Sequence, residues 1–388
     1  MKYRTFGRLD KQVSVLGFGC MRLPVVGTDA TGIDEPKATD MLRYAIDCGV
    51  NYVDTGYMYH NGSSELFVVR ALQDGYRQRV NLVTKLATWL VKTEADFDRL
   101  LNEQLQKLQT DHLDFYLLHA LNKSSWPKVR DLGVLRWAEG AVADGRIGGL
   151  GFSFHDSYAC FKEIVDAYDG WALCQIQYNY IDEGIQAGTA GLKYAASKGL
   201  AVVVMEPIRG GRLGHLPEPV KEILDKAGTN RTQADWALQW VWHHPEVSVV
   251  LSGMNTMQQV VENLGSADRA AAGSLSADEL EGIAEAREKY RELCPIPCTE
   301  CRYCMPCPND VLIHHNLALY NLAVMHGELE LARQQYAFGE RSDKDIRAAA
   351  CLQCRECEEL CPQGILISEW MPKIHAVLGE GQPPPGSC

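Results

Sequence analysis

The sequence predicts an α/β fold: a closed (β/α)₈ barrel of the TIM type over residues 1–275, then a small all-α domain over residues 276–378. Two observations carry this expectation. Between about residue 12 and residue 265, short β-branched runs alternate with amphipathic helical stretches eight times, and eight such pairs in roughly 250 residues close a parallel barrel. Beyond them the composition changes: of 14 cysteines, four precede position 294 and ten fall in the final 95 residues.

The expected barrel strands are Val15–Gly19, Asn51–Thr55, Asn81–Lys85, Leu113–His119, Ile147–Ser153, Leu173–Gln177, Ala201–Met205 and Ser248–Ser252. Each is followed by a helical pattern, as in Glu94–Leu108, where Phe97, Leu100, Leu101, Leu105 and Leu108 recur at helical spacing. Tyr3–Phe6 and Gln12–Ser14, around Gly7-Arg8-Leu9-Asp10, predict a hairpin capping the barrel floor. After Leu264 an Ala/Gly/Ser-rich linker leads to Ser276-Ala-Asp-Glu279, a capping box opening a helix to about Leu293, which Pro295 and Pro297 stop. The stretch Leu317–Tyr336 is patterned as helix, and Gly379–Cys388, with three consecutive prolines, as a mobile tail.

Composition narrows the function. A formal net charge of −12 with no basic run argues against a nucleic-acid surface. No stretch reaches the ~18 apolar residues of a membrane span, and the N-terminus has no apolar signal core. A cytoplasmic location is the expectation, and there dense cysteines read as metal ligands before disulfides.

The second cysteine run, Cys351-x2-Cys354-x2-Cys357-x3-Cys361-Pro362, has the bacterial two-cluster ferredoxin spacing, in which the fourth cysteine serves the other cluster. The first, Cys298-x2-Cys301-x2-Cys304-x2-Cys307-Pro308, is one residue shorter before its last cysteine. The expected sets are Cys298, Cys301, Cys304 and Cys361 on one [4Fe–4S] cluster, and Cys351, Cys354, Cys357 and Cys307 on the other. The second domain is therefore expected to be a ferredoxin-like iron–sulfur domain. Zinc also takes C-x2-C pairs, but usually as two separated pairs, which four cysteines in one run exceed. Cys294 is read as a bystander or a substitute ligand, and Cys20, Cys48, Cys160 and Cys174 as small buried side chains.

Catalytic groups of such barrels sit at the C-terminal strand ends. Asp54, Lys85 and His119 end three consecutive strands, and Tyr59 follows Asp54 by five positions. Carbonyl reduction needs an acid that is still protonated near neutral pH. Tyr59 is read as that acid, Lys85 as an ammonium lowering its pKa, Asp54 as the partner of Lys85, and His119 as the donor that orients the carbonyl. Singly, each has a structural reading: a helix cap, a solvated strand end, a core histidine.

The same stretches, Asp54-Thr55-Gly56-x-x-Tyr59 with Gly62-x-Ser64-Glu65, Val83-Thr84-Lys85, Leu118-His119, Gly151-Phe152-Ser153-Phe154-His155, Gln177-Tyr178-Asn179, Glu206-Pro207 with Gly210-Gly211, and Ser252-Gly253-Met254 with Glu262-Asn263, resemble the aldo/keto reductase superfamily. With the cysteine-rich region, the chain resembles the subgroup carrying a C-terminal ferredoxin-like region. The resemblance implies that Asp54, Tyr59, Lys85 and His119 form the catalytic tetrad, beneath a nicotinamide cofactor extended across the barrel mouth. It implies Ser153, Phe154 and Gln177 at the nicotinamide, with Tyr178 as stacking ring; Pro207, Gly210, Gly211 and Arg212 at the diphosphate; and Ser252, Gly253, Glu262 and Asn263 toward the adenosine. Where NADP-specific members place a lysine and an arginine, this chain has Gly253 and Gln259, which leaves NADPH and NADH both open. Trp89 and His60 are candidate pocket walls.

The expected function is NAD(P)H-dependent oxidoreduction of a small carbonyl or alcohol, with the clusters exchanging electrons with a ferredoxin or flavoprotein. The alternatives are a ferredoxin-driven one-electron reductase independent of nicotinamide, and a redox-sensing or accessory protein with no enzymatic role.

Overall fold

The computed structural model describes residues 1–27, 31–228, 231–339 and 344–384; residues 385–388 of the expected tail, Cys388 among them, lie outside the described residues. The chain divides into two compact units, Met1–Ile208 with Ala234–Leu275, and Arg209–Gln233 with the residues from Ser276 on. The segment after Ile208, read from sequence as part of the barrel, thus belongs with the second unit.

The first unit opens on an antiparallel hairpin of β1 (Tyr3–Thr5) and β2 (Gln12–Ser14). The barrel strands follow as β3 (Leu16–Gly19), β4 (Tyr52–Asp54), β5 (Asn81–Leu86), β6 (Phe115–Leu121), β7 (Leu150–Phe154), β8 (Leu173–Gln177), β9 (Ala201–Met205) and β10 (Val247–Ser252). They close in the order β10-β3-β4-β5-β6-β7-β8-β9, with every neighbouring pair parallel. Strands buried on both faces read as near-continuous apolar runs, which is why Val-Val-Val in β9 and Val-Val-Leu in β10 carried so clear a signal.

Phe6, Val13, Tyr52, Phe115, Leu173 and Val249 belong to one buried layer inside the barrel. Two glycines make this packing possible. A Cβ at Gly151 would stand 2.7 Å from both Leu117 and Leu173 side chains, and one at Gly7, whose φ is +57°, would stand 2.4 Å from the Ala201 nitrogen.

Among its described residues the second unit is built from helices and loops. Ala277–Leu293 starts with both bonds of the capping box, Glu279 N–H to Ser276 Oγ and Ser276 N–H to Glu279 Oε2. It packs against the helix Glu218–Ala227, and Gly282 is the contact point: a Cβ there would lie 2.2 Å from the Ala227 Cβ. That crossing is why Arg209–Gln233 sorts with this unit. The helices Ile313–Met325, Leu329–Phe338 and Ile367–Leu378 enclose a core that includes Leu317, Tyr320, Ala332, Met371 and Ile374. The described part of the expected mobile tail is tied down, with Gln382 N–H bonding Ala376 O and the Arg333 guanidinium bonding Gln382 O. No helix among the described residues is long and apolar enough to cross a membrane.

Candidate functional site

The four residues expected to act together meet at the C-terminal ends of β4, β5 and β6. Lys85 Nζ donates to Asp54 Oδ1 at 2.7 Å, to Asp54 Oδ2 at 2.8 Å and to Thr55 O at 2.6 Å, which uses all three ammonium protons. It also stands 4.7 Å from the Tyr59 ring centroid. The Tyr59 and His119 rings face edge-on at 6.0 Å and 80°. A register shift in β6 between Leu118 and Leu121, with Ala120 at φ +54°, falls at His119 and aims it. Ala120 N–H in turn bonds Ser153 Oγ at 2.8 Å.

The surrounding motif residues hold this arrangement. Ser64 Oγ lies 2.9 Å from Thr55 Oγ1 and donates to Cys20 O at 3.0 Å. Glu65 accepts from Thr84 Oγ1 at 2.7 Å and from the Gln104 amide, and the Tyr116 hydroxyl closes the network on Gln104 at 2.6 Å. Thr84 and Lys85 are adjacent, so they leave β5 on opposite faces: one anchors the helix layer, the other enters the barrel.

Electrostatics corrects one expectation. Burial, and after it Asp54 and Cys20, pushes the Tyr59 phenol well above its usual value. Here burial outweighs the lowering expected from Lys85, whose ammonium is paired with the Asp54 carboxylate at 2.7 Å. Burial also pushes Asp54 up and Lys85 down, against their mutual attraction. Burial, then the charge of Lys85, holds His119 well below the usual histidine range, so its ring is neutral. His119 Nδ1 has no hydrogen-bond partner. The site therefore presents a protonated phenol and a neutral imidazole.

Trp89, 44% exposed, lies 5.1 Å from the His119 ring and walls the mouth beside it. His60 instead accepts from Leu23 N–H at 3.1 Å and ties the loop after β3. Gln177 is held between the Gln186 amide, whose Nε2 donates to Gln177 Oε1 at 2.9 Å, and the Asp182 carboxylate, which accepts from Gln177 Nε2 at 3.2 Å.

Phe154 and Tyr178 are corrected together. Both are fully buried, Phe154 against Phe161 at 5.1 Å and Tyr178 against Trp240 at 4.9 Å, with the Tyr178 hydroxyl engaged by Thr189 and His244. Each directly follows an inward-facing residue, and side chains alternate along a strand, so they face the helix layer. The residue in register with Gln177 is Met205, partly exposed at the end of β9. Sequence reasoning passed it over because methionine carries no polar signature.

At the β10 end, Asn263 Nδ2 bonds Ser252 Oγ at 3.0 Å, and Glu262 accepts from Gln258 at 2.8 Å. Gln259 Oε1 accepts from Asn255 N–H at 2.9 Å. Sequence reasoning missed Arg22: its Cβ, Cγ and Cδ lie 3.3–3.5 Å from where a Gly253 Cβ would stand. The aliphatic stem of an arginine thus packs on Gly253, one of the two positions where the charge had seemed absent. Pro207 lies one residue before the end of the first unit's segment at Ile208, and Gly210 and Gly211 take φ of +68° and +100°. Arg212 is committed to Glu300 at 2.9 Å.

In the second unit, Cys298, Cys301, Cys304 and Cys361 line one cavity. Cys351 has Cys307 and Cys354 as electrostatic neighbours, and Cys357 has Cys351 and Cys354. Burial raises the Cys298 thiol to about 11 and Cys304 to about 12, so thiolates here need a bound metal group to form. Cys294 donates to Ile296 O, and Cys48, read as buried, is exposed.

A parallel barrel with a buried Lys–Asp pair beneath a protonated tyrosine and a neutral histidine defines an oxidoreductase of the barrel class, here joined to a cysteine-loop domain. Residues 15–288 match the aldo/keto reductase family, and residues 297–366 match the 4Fe-4S dicluster domain. The chain belongs to the aldo/keto reductase family. It is 29% identical to methylglyoxal reductase YeaE of Escherichia coli (strain K12) over 60% of this chain and 81% of that protein. Aldo-keto reductase AKR11C1 of Bacillus halodurans, in its holo form, superposes with a TM-score of 0.61 at 28% identity, over 74% of this chain and 96% of that one. The aldo-keto reductase of Klebsiella pneumoniae in complex with NADPH gives 0.60 at 26% identity, over 75% and 96%.

Proposed function

We propose that this protein transfers hydride between a nicotinamide dinucleotide and a small carbonyl or alcohol, and that two [4Fe–4S] clusters exchange single electrons with an external ferredoxin or flavoprotein. The observation that carries the first part is the three-way hold on Lys85 directly beside the Tyr59 ring. When bound, the nicotinamide supplies hydride to the carbonyl carbon. Tyr59 gives its proton to the carbonyl oxygen, Lys85 balances the phenolate left behind, and His119 orients that oxygen. Trp89 keeps water from the His119 side.

Ser153 and Gln177 serve the nicotinamide end, Ser252 and Asn263 the adenosine end, and Arg22 supplies a cation for the dinucleotide's phosphates. The NADPH complex of the Klebsiella relative supports a nicotinamide cofactor. Cys298, Cys301, Cys304 and Cys361 would hold one cluster, and Cys307, Cys351, Cys354 and Cys357 the other, in the crossed arrangement of two-cluster ferredoxins; the match of residues 297–366 to the 4Fe-4S dicluster domain supports this reading.

The test is one anaerobic preparation assayed for iron, acid-labile sulfide and nucleotide binding. About eight irons and saturable binding of NADPH or NADH are expected. Full iron without nucleotide binding would favour the one-electron reductase in its place.

A further inference from the structure

The loops Cys298–Cys304 and Cys351–Cys357 are near copies in backbone. The third and fifth residues of each are left-handed, Glu300 at φ +56° and Arg302 at +66°, Gln353 at +54° and Arg355 at +68°. In each, the third residue's N–H reaches the first cysteine's Sγ at 3.4 Å. Surroundings differ: in the first loop only Arg302 is exposed, whereas in the second all five residues from Leu352 to Glu356 are.

The second position departs most. Leu352 is 71% exposed. Its counterpart Thr299 is 1% exposed, lines the cavity shared by Cys298, Cys301, Cys304 and Cys361, and has a buried Oγ1 with no hydrogen-bond partner. Buried hydroxyls are almost always paired, so an orphan inside a ligand cavity implies an acceptor that the group in the cavity brings. An iron–sulfur cluster held by the four cysteines would bring sulfur acceptors.

We propose that Thr299 donates a hydrogen bond to a sulfur of the buried cluster and raises that cluster's reduction potential, which keeps it reducible by its exposed neighbour. Reduction adds one negative charge to a cluster. Burial withholds the water that would stabilise this charge, and a hydroxyl aimed at sulfur offsets the loss. The electron path then has a direction. An external one-electron carrier is oxidised at the exposed Cys354 loop, and the single electron passes to the buried cluster, with no bond made or broken.

The inference rests on the two-cluster reading, and one experiment separates the two. EPR-monitored redox titration of the anaerobic holoprotein is run on wild type, Thr299→Val, Thr299→Ala and Thr299→Ser. The expected result is that Val and Ala move one midpoint potential to more negative values, leave the other in place, and that Ser restores the wild-type value. Unmoved potentials in Val or Ala, or a Ser variant displaced as far as they are, would overturn the role of Thr299. A wild type showing only one [4Fe–4S] signal would overturn the two-cluster reading beneath it.

Discussion

In the barrel, Asp54 and Lys85 lie 31 positions apart in sequence and meet at 2.7 Å; in the loop at Cys298, three of the proposed ligand cysteines fall within seven residues. The barrel orders its groups through side chains buried in a dry layer, where a charge survives only if paired. The cysteine loops order theirs through backbone, by left-handed residues that turn an amide toward sulfur. The difference teaches which perturbation each region resists. The barrel site should fail on loss of one charge, and the cysteine unit on loss of helix packing or of metal.

Removing the cation tests the first half most severely. Lys85→Met leaves Asp54 buried and unpaired, and a stability loss of ~3–5 kcal/mol is expected in denaturant unfolding of the barrel, with iron content unchanged. Next in size, Arg22→Ala is expected to weaken nucleotide binding by about 10- to 100-fold, from ~1.5–3 kcal/mol for a charged hydrogen bond, read by anaerobic fluorescence titration. Gly282→Val forces apart the helices Glu218–Ala227 and Ala277–Leu293. A cost of ~1–3 kcal/mol is expected, seen as loss of helical signal with Lys85-dependent turnover retained.

The last effect is a pH dependence to which His155 contributes within the barrel. Burial lowers His155 to about 4, against a bond from its Nδ1 to the Gln186 Oε1 acceptor that acts the other way. Between about pH 6.5 and pH 4 the unfolded chain binds a proton that the folded chain refuses, so stability falls as pH falls through that window. The slope is up to ~1.4 kcal/mol per pH unit. His155→Gln should reduce that slope by the contribution of this one ring, measured as denaturant stability at about pH 7 and about pH 5.

Legibility followed the same divide. The strands emerged within one to three residues because buried parallel strands write their signal locally, as in Leu173–Gln177 and Ala201–Met205. The tetrad was visible because strand ends are where barrels place chemistry. Arg22 was not, since its link to Gly253 is a tertiary contact between the loops after β3 and β10 with no periodic trace. Phe154 and Tyr178 were misread because neighbourhood in sequence was taken for neighbourhood in space, against the two-residue alternation of a strand. The helix Glu218–Ala227 was assigned to the barrel by continuity alone, whereas its partner is the helix after the linker.

The central claim, that Tyr59 is the acid of a nicotinamide-dependent carbonyl reduction, is tested most directly by the turnover of Tyr59→Phe on a panel of small aldehydes and ketones. Iron content and nucleotide affinity are checked on the same sample. A fall of ~10²–10⁴-fold with both controls unchanged is predicted; turnover equal to wild type would contradict the account.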